Sequence, residues 1–120
     1  MTKRSANKIV GLAELGEIVN ILRNQGQTIV QCHGVFDLMH PGHIRHLEAA
    51  SRLGDVLVVT VTADRFVNKG PGRPVFTAQL RAETLASLEC VRYVAINNTA
   101  NAVEAISTIR PNVYVKGSDY

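Results

Sequence analysis

Two histidines flanking a Pro-Gly pair, His40-Pro41-Gly42-His43, are the residues of this chain best suited to chemistry. If His40 caps a helix and Pro41 is its first residue, His43 stands three positions on, and both imidazoles fall on one face of the opening turn. There the first backbone amides lack helical partners and the helix dipole favours negative charge. A phosphate suits such a place. Gly42 leaves room for it to reach the backbone, and two imidazoles can stabilise charge growing on a phosphoryl group. Two other readings stay open on the residues alone. His-x-x-His also occurs in metal sites, although no third ligand stands nearby at zinc spacing. A helix start that merely exposes two histidines is the plain alternative. The preceding Gly34-x-x-Asp37, with a strand before it, favours phosphate.

Further polar residues stand in loops or near them. Lys69 is followed by Gly70-Pro71-Gly72-Arg73, which suggests a shaped cationic loop rather than a loose one. Arg81 lies in the helical stretch Leu80-Arg81-Ala82-Glu83, where a solvated face is the ordinary reading. His33 either lines a pocket or ends a strand. Asp64 opens a loop and ranks below Lys69, and His46, one turn down the helix from His43, reads as structural or peripheral.

The elements that must position these residues follow from periodicity. Leu12, Leu15, Ile18, Val19 and Leu22 recur at helical spacing from Gly11, and Gly26 is a stop signal. Thr28 to Cys32 is β-branched and apolar, a strand. Pro41 opens the next helix and Gly54 closes it. Asp55 to Thr62 holds a continuous apolar run, as in a strand covered on both faces. Ala63 to Pro74 is loop, and Thr77 caps a helix carrying Leu80, Leu85 and Leu88. Arg92 to Ile96 is a strand, Asn101 to Ile109 a helix, and Val113 to Lys116 a last strand. This alternation specifies a single α/β domain: an open parallel sheet of Rossmann-like type with helices on both faces. In such sheets ligands sit beyond the carboxyl ends of the strands. Gly34 to His43, Ala63 to Pro74, Asn97 to Thr99 and Gly117 to Tyr120 should therefore converge.

Composition narrows the classes. With 120 residues, 46% hydrophobic and 19% charged, the chain can fill one core. No apolar run approaches the ~20 residues that cross a bilayer, so no membrane partner is expected. Residues 1–10 read as a basic, mobile tail without a secretory signal, and 11–120 as the folded core. Lys3, Arg4 and Lys8 account for the whole net charge of +3, and without them ten basic residues face ten acidic ones. A near-neutral core argues against nucleic acid as a partner. Cys32 and Cys90 form no Cys-x-x-Cys and read as reduced core thiols of a cytoplasmic protein.

Gly34-x-Phe36-Asp37-x-x-His40-x-Gly42-His43 resembles the signature of the cytidylyltransferase-like nucleotidyltransferases, a Rossmann-like superfamily. The likeness runs over nearly all the chain from about Thr28. Arg45-His46-Leu47, Gly54-Asp55, Asn68 to Pro74 and Lys116 to Tyr120 are similar to stretches of the adenylyltransferase domain of bacterial bifunctional ADP-heptose synthases. The resemblance implies transfer of AMP from ATP to a sugar 1-phosphate, D-glycero-β-D-manno-heptose 1-phosphate, with release of pyrophosphate. A cytidylyltransferase using CTP to form a CDP-polyol such as CDP-glycerol is the alternative enzyme. A nucleotide-binding module without catalysis is the alternative of another class.

By matched position, the resemblance implies that His40 and His43 contact the triphosphate and stabilise the transition state. Gly34, Val35, Phe36, Asp37, Gly42, Lys116, Gly117 and Asp119 would form the nucleotide pocket. Lys69 would act in catalysis by steering phosphates, and Arg81 would reach the substrate phosphate beside it. Magnesium is expected to bind mainly through the nucleotide phosphates, with no dedicated protein ligands. A homodimer and a fused sugar-kinase domain are further expectations. Related domains continue past the last loop into a helix with a Ser/Thr-rich motif, so a core truncated at its C-terminal end is expected.

Overall fold

A computed structural model of the chain describes residues 1–116. Four strands, β1 (Ile29–Gly34), β2 (Val56–Thr62), β3 (Tyr93–Asn97) and β4 (Val113–Lys116), form one sheet in the order β3-β2-β1-β4. Every pairing is parallel, with Gly34 opposite Val61, Thr62 opposite Asn97 and His33 opposite Lys116. All four carboxyl ends therefore share one edge. The chain steps outward from β1 to β2 to β3, then crosses back to lay β4 on the far side of β1. The reversal falls between β1 and β4, where a doubly wound sheet opens a crevice for ligand.

Five helices accompany the sheet: α1 (Lys3–Ala6), α2 (Leu12–Asn24), α3 (Pro41–Ser51), α4 (Ala78–Ala86) and α5 (Val103–Ile109). Strand side chains alternate between faces, so each strand feeds two cores. Val30, Cys32, Leu57, Val59, Val61 and Val94 pack against Leu47 and Ala50 of α3 and Ala82, Leu85 and Ala86 of α4. Ile29, Val56, Val58 and Ala95 pack against Leu15 and Val19 of α2 and Ile109 of α5. The doubly covered sheet is the expected architecture, and β2 is buried along its whole length.

Several boundaries differ from expectation for local reasons. β1 runs on to Gly34, because pairing with β2 carries it two residues past Cys32. α3 ends at Ser51, and Gly54 serves a different purpose from closing it. A Cβ at Gly54 would stand 2.8 Å from the Val30 side chain and 3.0 Å from the Thr28 carbonyl, so only glycine lets the chain pass β1 this closely. Lys8 and Val10, at the end of the segment expected as a tail, bond to β3 and to the residues after α4. Val10 N–H donates to Val94 O at 3.0 Å, and Val94 N–H donates to Lys8 O at 2.9 Å. Lys8 Nζ adds a bond to Leu88 O at 3.0 Å.

Both cysteines are free thiols. Burial pushes the Cys32 thiol up to about 12, so it behaves as a core hydrophobe. Among the described residues no helix is long and apolar enough to cross a membrane.

Candidate functional site

The loop from Gly34 to His40 leaves β1 at the reversal of the sheet and enters α3. His40 has extended backbone (φ −136°, ψ 176°) and is the N-cap, with Pro41 at the first helical position. Its ring Nδ1 accepts the Gly42 N–H at 3.0 Å. His43 returns the favour: its Nδ1 accepts the His40 N–H at 3.2 Å. A neutral ring whose Nδ1 accepts must carry its proton on Nε2. The backbone thus fixes the tautomer of both histidines and makes each a donor through Nε2. The ring centroids are 4.3 Å apart. His40 is exposed, whereas His43 is 6% exposed and meets the edge of Phe36 at 6.4 Å.

Phe36 has φ +52°, in the left-handed region. For a bulky residue this costs on the order of 1–3 kcal/mol. Burial of its ring against His43 and the α3/α4 core offsets that strain. The turn places Val35 and Asp37 on the side of the loop that follows β2.

Asp37 is the hub of that side. Its Oδ2 accepts from Arg73 Nε at 2.7 Å and from Val75 N–H at 2.8 Å, and its Oδ1 accepts from Phe76 N–H at 2.9 Å. Burial alone pushes the carboxyl up. The Phe76 and Val75 amides and the Arg73 guanidinium outweigh that and hold it below the ordinary value of 3.8. Asp37 therefore holds the segment before α4. In the unfolded chain the carboxyl regains its ordinary value, so the ionised form favours the fold. Its contribution is complete above the ordinary carboxylate range and is lost as pH falls through the depressed folded value. Asp37→Asn should cost about 3 kcal/mol at neutral pH, since it removes the charge of a buried carboxylate that accepts three hydrogen bonds. It should also flatten the acid limb of stability against pH. Urea unfolding of both proteins between pH 7 and pH 3 measures both effects, and parallel acid limbs would refute the assignment.

Arg81 departs from expectation most. It is 1% exposed, on the buried face of α4. Nε donates to Phe76 O at 3.0 Å, Nη1 to Val35 O and Thr62 O at 2.8 Å each, and Nη2 to Asp64 Oδ1 at 2.7 Å. The guanidinium is thus a clasp between the site loop, the end of β2 and the start of α4. Leu80, expected on the apolar face, is 49% exposed instead.

The loop after β2 is anchored twice, by Asp64 on Arg81 and by Arg73 on Asp37. Lys69 is exposed on the stretch between those anchors, beside Gly70 (φ +96°) and Gly72 (φ +76°), which hold left-handed turns. Gly34 ends β1, and Gly42 lies in the first turn of α3 beside the cap. Lys116 ends β4, and its carbonyl lies 3.1 Å from His46 Nε2, which ties α3 to β4. Gly117 and Asp119 lie outside the described residues. Sequence reasoning missed Arg73 as the partner of Asp37 and missed the buried polar pair Gln31 and Thr60. Polar residues inside otherwise apolar strands were the available signal for that pair. Among the described residues no three His, Cys, Asp or Glu side chains gather as a metal site.

Comparison with known proteins bears on this arrangement. The model of a family described as cytidylyltransferase-like matches residues 31–120. The chain is 42% identical over 108 residues to the bifunctional protein HldE of Syntrophotalea carbinolica, covering 88% of this chain and 22% of that protein. It is 45% identical over 117 residues to the bifunctional protein HldE of Methylobacillus flagellatus, covering 96% of this chain and 24% of that one. The chain thus spans about a quarter of the length of these curated relatives. A crystal structure of the lipopolysaccharide core biosynthesis protein from Thermoplasma volcanium superposes with a TM-score of 0.69 at 28% identity, covering 74% of this chain and 73% of that one.

Proposed function

Since the chain belongs to the cytidylyltransferase-like family, we propose that it carries a nucleotidyltransferase site that moves AMP from ATP to a sugar 1-phosphate and releases pyrophosphate. The observation that carries this reading is the histidine pair at the start of α3, each ring fixed by a backbone amide as an Nε2–H donor. D-glycero-β-D-manno-heptose 1-phosphate is the acceptor we infer. Support comes from the resemblance to ADP-heptose synthases, from relatives named HldE and from a fold neighbour named for lipopolysaccharide core biosynthesis.

A phosphate oxygen of the acceptor attacks the α-phosphorus in line, and the bond to the pyrophosphate oxygen breaks. The nucleophile is already ionised at neutral pH, so no general base is needed, and catalysis reduces to alignment and charge stabilisation. His40 and His43 donate to the phosphoryl oxygens where charge grows, with the α3 dipole behind them. Lys69, on its exposed loop, steers the phosphates of both substrates. Gly34 and Gly42 let the nucleotide approach the backbone, and Lys116, Gly117 and Asp119 would flank its ribose and base. Magnesium would be brought in on the triphosphate, and when bound it would neutralise phosphate charge. The same reading puts the protein in the cytoplasm and a sugar kinase beside it in a longer bifunctional chain.

Calorimetric titration with ATP and with CTP, each with magnesium, tests the base. Pyrophosphate release with heptose 1-phosphate or glycerol 3-phosphate then tests the acceptor. We expect ATP to bind more tightly and heptose 1-phosphate to turn over. Tighter CTP binding would replace this reading with a polyol-phosphate cytidylyltransferase. Nucleotide binding without turnover of either acceptor would leave a binding module.

A further inference from the structure

Among the polar side chains on the face of the sheet that α2 and α5 cover, Gln31, Thr60 and His33 form one connected chain. Gln31 of β1 is fully buried, and its Nε2–H donates to Thr60 Oγ1 of β2 at 3.1 Å. Thr60 is also fully buried, and its Oγ1 lies 2.8 Å from His33 Nδ1. Gln31 Oε1 is buried with no hydrogen-bond partner among the described residues. A buried orphan oxygen costs about 1–3 kcal/mol, so an apolar residue at this position would serve packing better than glutamine. What the glutamine supplies is a direction. Having accepted from Gln31, the Thr60 hydroxyl has its own proton to donate to His33 Nδ1, which leaves the His33 proton on Nε2. Burial also lowers the pKa of His33 from 6.5, so the ring is neutral at neutral pH.

His33 is the fifth residue of β1, at the carboxyl edge of the sheet, with Thr60 on one side and Lys116 on the other. Its Nε2 has no hydrogen-bond partner among the described residues. Cys32 faces the core of α3 and α4, so His33, next in the strand, faces the opposite side from the histidine pair.

We propose that His33 is a specificity-determining residue whose Nε2–H reads an uncharged oxygen of the phosphorylated acceptor, a sugar or polyol hydroxyl. The proposal rests on the nucleotidyltransferase reading. In an in-line displacement the attacking and leaving oxygens stand on opposite sides of the phosphorus. With the triphosphate at the start of α3, the acceptor approaches from the other side, where His33 lies. A ring held neutral matches a hydroxyl, because His40, His43 and Lys69 already answer the charged oxygens. A site that donates to a substrate hydroxyl also rejects analogues lacking it, since the donor would then be left without a partner.

The test uses ATP with magnesium and heptose 1-phosphate on the wild-type protein and on His33→Asn, His33→Gln and Thr60→Val. Asparagine keeps an amide near the Nδ1 position and removes the atom at Nε2, whereas glutamine restores an amide nitrogen there. His33→Asn should raise the KM for heptose 1-phosphate roughly tenfold or more, with the KM for ATP and kcat within about twofold. His33→Gln should recover most of the loss. Independently of turnover, long-range nitrogen–proton spectra should show the Nε2–H tautomer of His33, and Thr60→Val should lose that preference. An Nδ1–H tautomer in the wild type, unchanged acceptor KM, or a shift confined to ATP would overturn the proposal while the function stands. A wild-type protein that turns over neither heptose 1-phosphate nor glycerol 3-phosphate sinks both.

Discussion

His43→Asn should lower kcat by about 10²–10³, the usual loss when one preorganised donor to a developing oxyanion is removed. Asparagine is the informative replacement because it separates two roles of the same ring. Nδ1 of His43 accepts the His40 N–H, and the side-chain oxygen of asparagine can do the same. What asparagine cannot reach is the place of Nε2, where the phosphoryl oxygen is expected. Loss of turnover should therefore come with a melting temperature within a few degrees of wild type and nearly unchanged affinity for ATP. His43→Ala should abolish turnover as well, but it also strips the cap and opens space beside Phe36, so some stability goes with it. Near-normal turnover in a folded His43→Asn protein would defeat the mechanism. A fall in ATP affinity equal to the fall in turnover would make His43 a ground-state ligand only.

The histidine pair was legible because its signals are local. Pro at the first helical position, a glycine behind it and two imidazoles three apart fix a geometry that needs no distant partner. The sheet was legible for a similar reason: unbroken apolar strands such as β2 require cover on both faces. The hub at Asp37 was half legible. Its place in the loop was clear, but its partners Arg73, Val75 and Phe76 lie 36 to 39 residues away, and only the closed fold brings them in. The Gln31–Thr60–His33 chain was hidden for the same reason, since register between β1 and β2 decides which polar residues meet.

The burial of Arg81 was missed over a choice of face. The large residue Leu80 suggests the apolar stripe of α4, with its neighbour Arg81 in solvent. The alanines point elsewhere: Ala78, Ala82 and Ala86 recur with Leu85 at i, i+4, i+8 and i+7, and position 81 falls within their stripe. Alanines let α4 approach the sheet closely, and a long side chain among them must then cross to the carboxyl edge. An arginine on a stripe of alanines is a sequence signal for a buried clasp.

That clasp makes Arg81→Met the substitution with the largest expected effect on stability. Methionine replaces much of the volume but none of the donors. The carbonyls of Val35, Thr62 and Phe76 belong to the backbone, so no second substitution can make them apolar. A buried acceptor left unpaired costs about 1–3 kcal/mol, and with Thr62 O buried and the other two part-buried we expect a total of about 4 kcal/mol, the lost ion pair and packing included. Against the 5–15 kcal/mol typical of a domain, this is a large share. Asp64→Asn provides the contrast. Asp64 keeps 48% of its side chain exposed, so losing that ion pair should cost about 0.5 kcal/mol. Arg81→Lys should fall between, because an ammonium cannot serve carbonyls spread around a planar fork. Nucleotide affinity should drop in Arg81→Met along with stability, as the site loop loses its tie at Val35. Chemical denaturation of the three variants with ATP titration of each decides the matter. An Arg81→Met protein as stable as wild type, with a weakened acceptor KM, would refute the clasp and leave Arg81 the phosphate-binding role that the resemblance implies.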